Sequence, residues 1–194
     1  MKNKKTIIIA IVAIIAVVAI IGGALVSSYN GLVTAQENVT SAQSDIDTML
    51  QRRADLIPNI VATVKDFAEH ETEVYDKVLE ARQNLLNANT VEEQATANEE
   101  LTTALQGINI IVENYPELRS DATYIGLMDE LEGSENRIAV ARKDYNEAVK
   151  EYNNKVIKFP GSITAGIFGF EKAEYFEADD STSQVPDVGA ALGD

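Results

Sequence analysis

Residues Ile7 to Val26 form an unbroken run of twenty uncharged, almost wholly apolar side chains. At about 1.5 Å rise per residue such a run spans about 30 Å, the thickness of a bilayer's hydrocarbon core. It predicts a transmembrane helix. A cleaved secretory signal starts the same way, but its apolar stretch is usually about 7–15 residues long. The exit Gly22-Gly23-Ala24-Leu25-Val26-Ser27-Ser28 also offers no clean A-x-A cleavage site, so an anchor is favoured.

Beyond the run, apolar residues recur at steps of three and four, and no alternating strand pattern competes with them. Leu32, Ala35, Val39, Ala42, Ile46, Met49, Arg53 and Leu56 form one seam with a single arginine in it. Ile57, Ile60, Val64, Phe67, Glu71, Val74, Val78, Ala81, Leu85 and Ala88 form a second with one glutamate. Because proline is tolerated in the first turn of a helix, a turn is expected around Asp55 to Pro58, separating two antiparallel helices. A third helix opens at Thr90, with Glu93 three residues later as a capping box. It shows Leu101, Leu105, Ile108, Val112 and Tyr115 on one face and closes at Tyr115-Pro116. The fourth runs from Pro116 through Tyr124, Leu127, Leu131, Ser134, Ile138, Ala141, Tyr145, Ala148 and Tyr152, with Gly133-Ser134 as a place for a kink, and stops before Phe159-Pro160-Gly161.

Helices that each carry one apolar stripe bury it against one another. The expected fold is therefore all-α: an N-terminal transmembrane helix followed by an antiparallel four-helix bundle with long, coiled-coil-like helices. In sequence order this gives a short basic N-terminus (1–6), a transmembrane helix (7–26), the bundle (27–159), an apolar C-terminal extension (160–177) and an acidic tail (178–194) expected to be disordered. An up-down-up-down order returns the fourth helix toward the membrane, so the 163–170 segment is expected near the bilayer or closing the membrane-facing end of the bundle. Heptad seams serve equally within one chain or between several, and oligomerisation stays open.

Charge refines the picture. The chain holds 31 acidic and 16 basic residues. Lys2, Lys4 and Lys5 precede the apolar run and every acid follows it, so the part after Val26 carries 13 basic against 31 acidic residues, or −18. Lysines flanking a span are preferentially retained in the cytoplasm, which predicts a single-pass protein with its N-terminus inside and its helical domain extracytoplasmic. A surface this acidic excludes nucleic acid as a partner and resists lying flat on anionic lipid. With no cysteine, disulfides and thiolate metal sites are excluded, and an apolar core must hold the domain.

Several blocks, Gln51-Arg52-Arg53-Ala54-Asp55-Leu56-Ile57-Pro58-Asn59, Glu113-Asn114-Tyr115-Pro116-Glu117-Leu118, Ala141-Arg142-Lys143-Asp144-Tyr145-Asn146, Tyr152-Asn153, Phe159-Pro160 and Gly169-Phe170, resemble the bacterial LemA family in order and spacing over about residues 29–177. The resemblance implies a protein of the bacterial cell membrane with one N-terminal span and a four-helix antiparallel bundle, and no established activity. It also implies an extracellular N-terminus, opposite to the lysine rule, and hints at a membrane zinc metallopeptidase as a partner in the envelope.

Candidate chemistry is sparse. His70, the single histidine, lacks the companions a zinc site needs and is expected on the surface. Arg53 and Glu71 interrupt apolar seams, where a charge costs stability unless paired. With a turn at Asp55–Pro58 they are too far apart to pair with each other, and Glu132 or Glu135 is the expected partner of Arg53. Tyr145-Asn146 and Tyr152-Asn153 lie one heptad apart on one face, either as a recognition stripe or as tyrosines packed between helices with their hydroxyls at the rim. With Arg142 from the family-like block they complete the set of polar-network or interaction candidates. The acidic pairs Glu92-Glu93, Glu99-Glu100 and Asp179-Asp180 lack the spacing of a calcium loop. No catalytic or phosphate-binding motif is present and no cofactor is expected. The expected function is a non-enzymatic scaffold or interaction module at the cell envelope, anchored in lipid through residues 7–26 and binding another envelope protein. The alternative is a sensor that binds a small molecule or ion in a polar pocket near Arg53 or Glu71.

Overall fold

A computed structural model describes the backbone of residues 2–176 and the side chains from Ile8 onward. All its regular structure is helical: α1 (Lys2–Lys65), α2 (Thr72–Asn87), α3 (Val91–Asn114), α4 (Pro116–Arg119), α5 (Ala122–Ile157) and α6 (Gly161–Phe168). No strand occurs among the described residues. The expected tail over 178–194, residue 177 of the expected extension and Met1 lie outside them.

The described chain forms two compact units. One contains the chain up to Thr48 with Ala139–Glu174, and the other Met49–Ile138 with Tyr175 and Phe176. Both α1 and α5 contribute residues to each.

In the first unit α1 begins at Lys2, so the helix includes the lysine flank. From Ile8 the helix is long and apolar enough to cross a membrane, and none of its most apolar stretch is buried. Burial begins at Leu32 and Ala35, which pack with Tyr152 of α5 and Ala165 of α6, flanked by Val39, Val156, Phe170 and Ala173. Tyr29 meets Phe168 in a tilted contact and Phe170 edge-on, with ring centroids 4.8 and 5.8 Å away. Gly169 ends α6 with φ 75°, the left-handed geometry that a helix C-cap favours and a side chain resists. The chain then runs irregularly through Glu171–Phe176.

In the second unit Ile57, Ile60, Val64, Val78, Leu101, Ile108, Leu118 and Ile138 form a fully enclosed core. The seams read from the sequence face inward, but the first turn lies elsewhere than expected. Helix α1 continues through Pro58 to Lys65, and the reversal falls at Asp66–Glu71. An internal proline deprives the carbonyl four residues earlier of its N–H partner and crowds it. Here that carbonyl is Ala54 O, on a fully buried residue, and Arg82 of α2 donates its Nε–H to it at 2.8 Å. The helix therefore survives Pro58. At the true turn the Tyr75 hydroxyl donates to Ala68 O at 2.6 Å, so an α2 residue ties down the loop that follows α1.

The capping box at Thr90 is present: Glu93 N donates to Thr90 Oγ1 at 3.1 Å, and Thr90 N to Glu93 Oε2 at 3.1 Å. Backbone hydrogen bonds to the carboxylate, first from Asn89 N and then from Thr90 N, hold the Glu93 carboxyl below its ordinary pKa. Gly107 lets α3 approach α2 closely, since a Cβ there would lie 2.8 Å from Val74 Cγ1. The fourth expected helix is divided. The single turn α4 ends at Ser120, and Asp121 starts α5 by accepting from Tyr124 N at 2.9 Å. Helix α5 passes through Gly133-Ser134 uninterrupted, the Ser134 hydroxyl donating to Leu131 O at 2.7 Å.

Candidate functional site: an arginine network and an asparagine clamp

The polar residues singled out in the sequence fall into two separate sites. In the second unit Arg53 is only 3% exposed, on the stretch of α1 where Leu50, Ala54 and Ile57 are also buried. A guanidinium is an always-charged fork of donors, so its burial requires several acceptors at once. Two neighbouring elements supply them. From α3, Asn98 offers both its backbone O, at 3.2 Å from Nη1, and its side-chain Oδ1, which also accepts from Nη1. Thr102, one turn on, accepts from Nη2 at 3.0 Å while donating its own hydroxyl to Asn98 O at 2.9 Å. From α5, Glu135 Oε2 lies 3.0 Å from Nη1. Glu135 is thus the partner, and the other candidate, Glu132, stays exposed.

The glutamate is unevenly placed, its side chain 43% exposed against 3% for the arginine. Solvent therefore screens the ion pair, and the amide and hydroxyl of α3 supply most of the compensation for burying the arginine.

Glu71 is not part of this network. Because the turn lies at 66–71, Glu71 occupies the N-cap position of α2 rather than a seam inside a helix, and its side chain makes no capping hydrogen bond. Its electrostatic effect falls on Tyr75, whose hydroxyl pKa is pushed up first by burial and then by the Glu71 charge. His70 is exposed in the same turn.

In the first unit Tyr145, Tyr152 and Asn153 share one face of α5, and they hold the chain's own C-terminal segment. The Asn153 side chain accepts from Ala173 N at 2.9 Å and donates to Ala173 O at 2.9 Å. This bidentate pairing satisfies both backbone groups of a residue that has left helical structure. The Tyr145 hydroxyl donates to Glu174 O at 3.0 Å, so the segment leaving α6 runs back along α5. Burial raises the hydroxyl pKa of both tyrosines, and the nearby charges of Glu174 and Glu171 push Tyr145 and Tyr152 up further. Arg142 and Asn146 are half-buried on the same helix and engaged.

Arg82, Asn98 and Thr102 are the residues sequence reasoning missed. Asn98 and Thr102 sit four apart on α3, on either side of Leu101, where its apolar line begins. A polar pair on a face that should be apolar is the complement an arginine in a facing seam requires. Between α2 and α3 lies an open groove of about 640 Å³, lined among others by Val74, Lys77, Ala81, Thr103 and Gly107. Among the described residues no three His, Asp or Glu side chains converge to hold a metal.

Comparison with known proteins places the chain among relatives. The profile of the LemA family matches residues 42–189. Magnetosome protein MamQ 2 of Paramagnetospirillum magneticum is 30% identical over 179 residues, covering 79% of this chain and 66% of its own length. Magnetosome protein MamQ of Magnetospirillum gryphiswaldense is 28% identical over 178 residues, covering 78% and 65%. Protein LemA of Metamycoplasma hominis is 23% identical over 153 residues, covering 77% and 68%. The chain thus spans about two thirds of the length of these relatives. The family profile covers most of the helical part, with the Arg53 network and the Asn153 clamp inside it, and the chain belongs to the LemA family.

Proposed function

We propose that the protein is a membrane-anchored, non-enzymatic helical module that presents an interaction surface at the bacterial cell envelope. Residues 7–26 anchor it in lipid as a single-pass span, with the N-terminus in the cytoplasm and the helical part outside. The C-terminal part of α1, α2, α3 and the first part of α5 act as an antiparallel four-helix bundle.

The observation that carries this reading is how the polar candidates are used. The Arg53 guanidinium is engaged by Asn98, Thr102 and Glu135, and the Asn153 amide by Ala173. These groups hold elements together rather than facing a substrate. Exposed apolar residues on otherwise polar helices, such as Leu79, Ile110 and Ile125, are where a protein partner would be met. The family hint of a membrane metallopeptidase names one class of such partner.

A photoreactive residue introduced at Leu79, Ile110, Ile125 and Val140 in turn tests this in cells. Discrete adducts with another envelope protein are expected, and self-adducts or none would remove the scaffold reading. A second reading, a small-molecule sensor, is favoured by the groove between α2 and α3 rather than by Arg53. Thermal shift of the detergent-solubilised chain against metabolites and divalent ions separates the two, because a ligand stabilises the fold by mass action.

A further inference from the structure

Helix α6 contains no charged residue, and its sequence Gly161–Phe168 is short and apolar. One face packs inward through Thr164 and Ala165. The other, with the end of α5 and the turn between them, exposes Ile157, Phe159, Ile163, Ile167 and Phe168, each between 51% and 80% open. Single exposed apolar residues are ordinary, but five large ones within twelve positions form a patch that marks an interaction site.

The position of this patch relative to the span identifies its occupant. Helix α1 is unbroken, so Tyr29 lies three residues, or about 4.5 Å, beyond Val26. The headgroup zone outside the hydrocarbon core is about 5–8 Å deep on each side. Tyr29 therefore stands in that zone, and it contacts Phe168 and Phe170 directly. Lys155 Nζ donates to Gly31 O at 3.2 Å, bringing the end of α5 to the same level, and the exposed Lys158 adds a second cation beside the patch. An apolar face with aromatic residues, flanked by lysines at the level where a span emerges, has the chemistry of an interfacial membrane segment.

We infer that α6, the turn at 158–160 and Ile157 at the end of α5 form a lipid-embedded foot, seated in the headgroup–acyl boundary of the leaflet from which α1 emerges. The foot rests on the assignment of residues 7–26 as a membrane span. It gives the first unit a second attachment beside the span, with the apolar face of α6 lying on the order of 5–10 Å into the boundary.

The chain has no cysteine, so single labelling sites are free of background. Full-length Ile14→Cys, Val140→Cys and Ile167→Cys variants are labelled with an environment-sensitive fluorophore. They are reconstituted in phosphatidylcholine vesicles containing a minor share of phosphatidylglycerol, with nitroxides placed at shallow or deep positions of the lipid chains. Expected are deep quenching at position 14, shallow quenching at 167 and none at 140, which lies about 26 Å further back along α5. Quenching at 14 without quenching at 167 overturns the foot while leaving the span intact. Failure at 14 overturns the span and the foot with it. Equal quenching at 140 and 167 shows a chain collapsed onto lipid, and disulfide-linked Ile167→Cys copies without lipid quenching show that a second chain covers the patch. Either result overturns the inference.

Discussion

Exchanging Arg82 for methionine keeps most of the aliphatic stem and removes the Nε donor that Ala54 O accepts at 2.8 Å. Ala54 is fully buried, so its carbonyl is left without either a helical or a side-chain partner. Leaving a buried acceptor unsatisfied costs about 1–3 kcal/mol. For a chain of this size a change of 1 kcal/mol moves Tm by about 2–4 °C, so a fall of about 2–12 °C is expected. Size alone does not identify the cause, because losing the stem's packing also destabilises. The decisive variant is Pro58→Ala, which restores an N–H in line with Ala54 O. In that background the carbonyl no longer needs Arg82, and Arg82→Met should cost little. Thermal unfolding of the four proteins in detergent, followed by circular dichroism at the helical band, closes the double-mutant cycle. A coupling of about 1–3 kcal/mol is expected between positions 58 and 82. Additive effects, within about 0.5 kcal/mol, would show that α1 tolerates its internal proline for a different reason.

Arg53→Met should destabilise by about 1–3 kcal/mol, because it strands the buried Asn98 amide. Glu135→Gln should cost under about 1 kcal/mol, since its side chain is 43% exposed and can turn to water; denaturant melts giving the opposite order refute this assignment. Asn153→Leu removes both hydrogen bonds to Ala173 at a cost of about 1–3 kcal/mol, read as faster hydrogen exchange confined to residues 170–176, and uniform loss across α5 would contradict a local clamp. The Tyr145 pKa is raised in the fold, so its stabilising contribution is complete below the unfolded value of about 10 and is lost as pH climbs through the higher folded value. Proteolytic sensitivity at Lys172 should appear only in strong alkali in the native chain and already at neutral pH in Tyr145→Phe; release of the native segment in acid would refute the assignment.

The seams at steps of three and four were legible because burial repeats with the helix. From Leu32 to Leu56, and again from Ile57 to Ala88, each named position is buried or half-buried. The capping box at Thr90 was legible for a similar reason, as it is local in sequence. Two features were not. The turn was placed at Pro58 because a proline reads as a helix boundary when only its neighbours are considered. The donor that rescues it is Arg82, twenty-eight residues away, and its role depends on how α2 packs. That error moved Glu71 from a turn into a helix and made it look like a buried charge. The tyrosine–asparagine face of α5 was visible as a stripe, but its occupant was not. Residues 169–176 have no periodicity, and only the structure shows Ala173 and Glu174 lying against it.

That clamp places its sequence constraint in an unusual location. Asn153 and Tyr145 bind the N–H and C=O groups of residues 173 and 174, which every non-proline residue carries. These bonds therefore make no demand on the side chains of residues 173 and 174, whereas they depend on the side chains of the holder. The exposed Glu174 should accept most substitutions other than proline, Ala173 only small residues because it packs against Leu32, Ala35, Tyr152 and Ala165, and Asn153, whose amide presents an acceptor and a donor at that spacing, almost none. For anyone attaching a reporter, the editable positions of this ribbon are its exposed ones, such as Glu174, and the fixed part is the helix face beneath it together with the ribbon residues packed on the core.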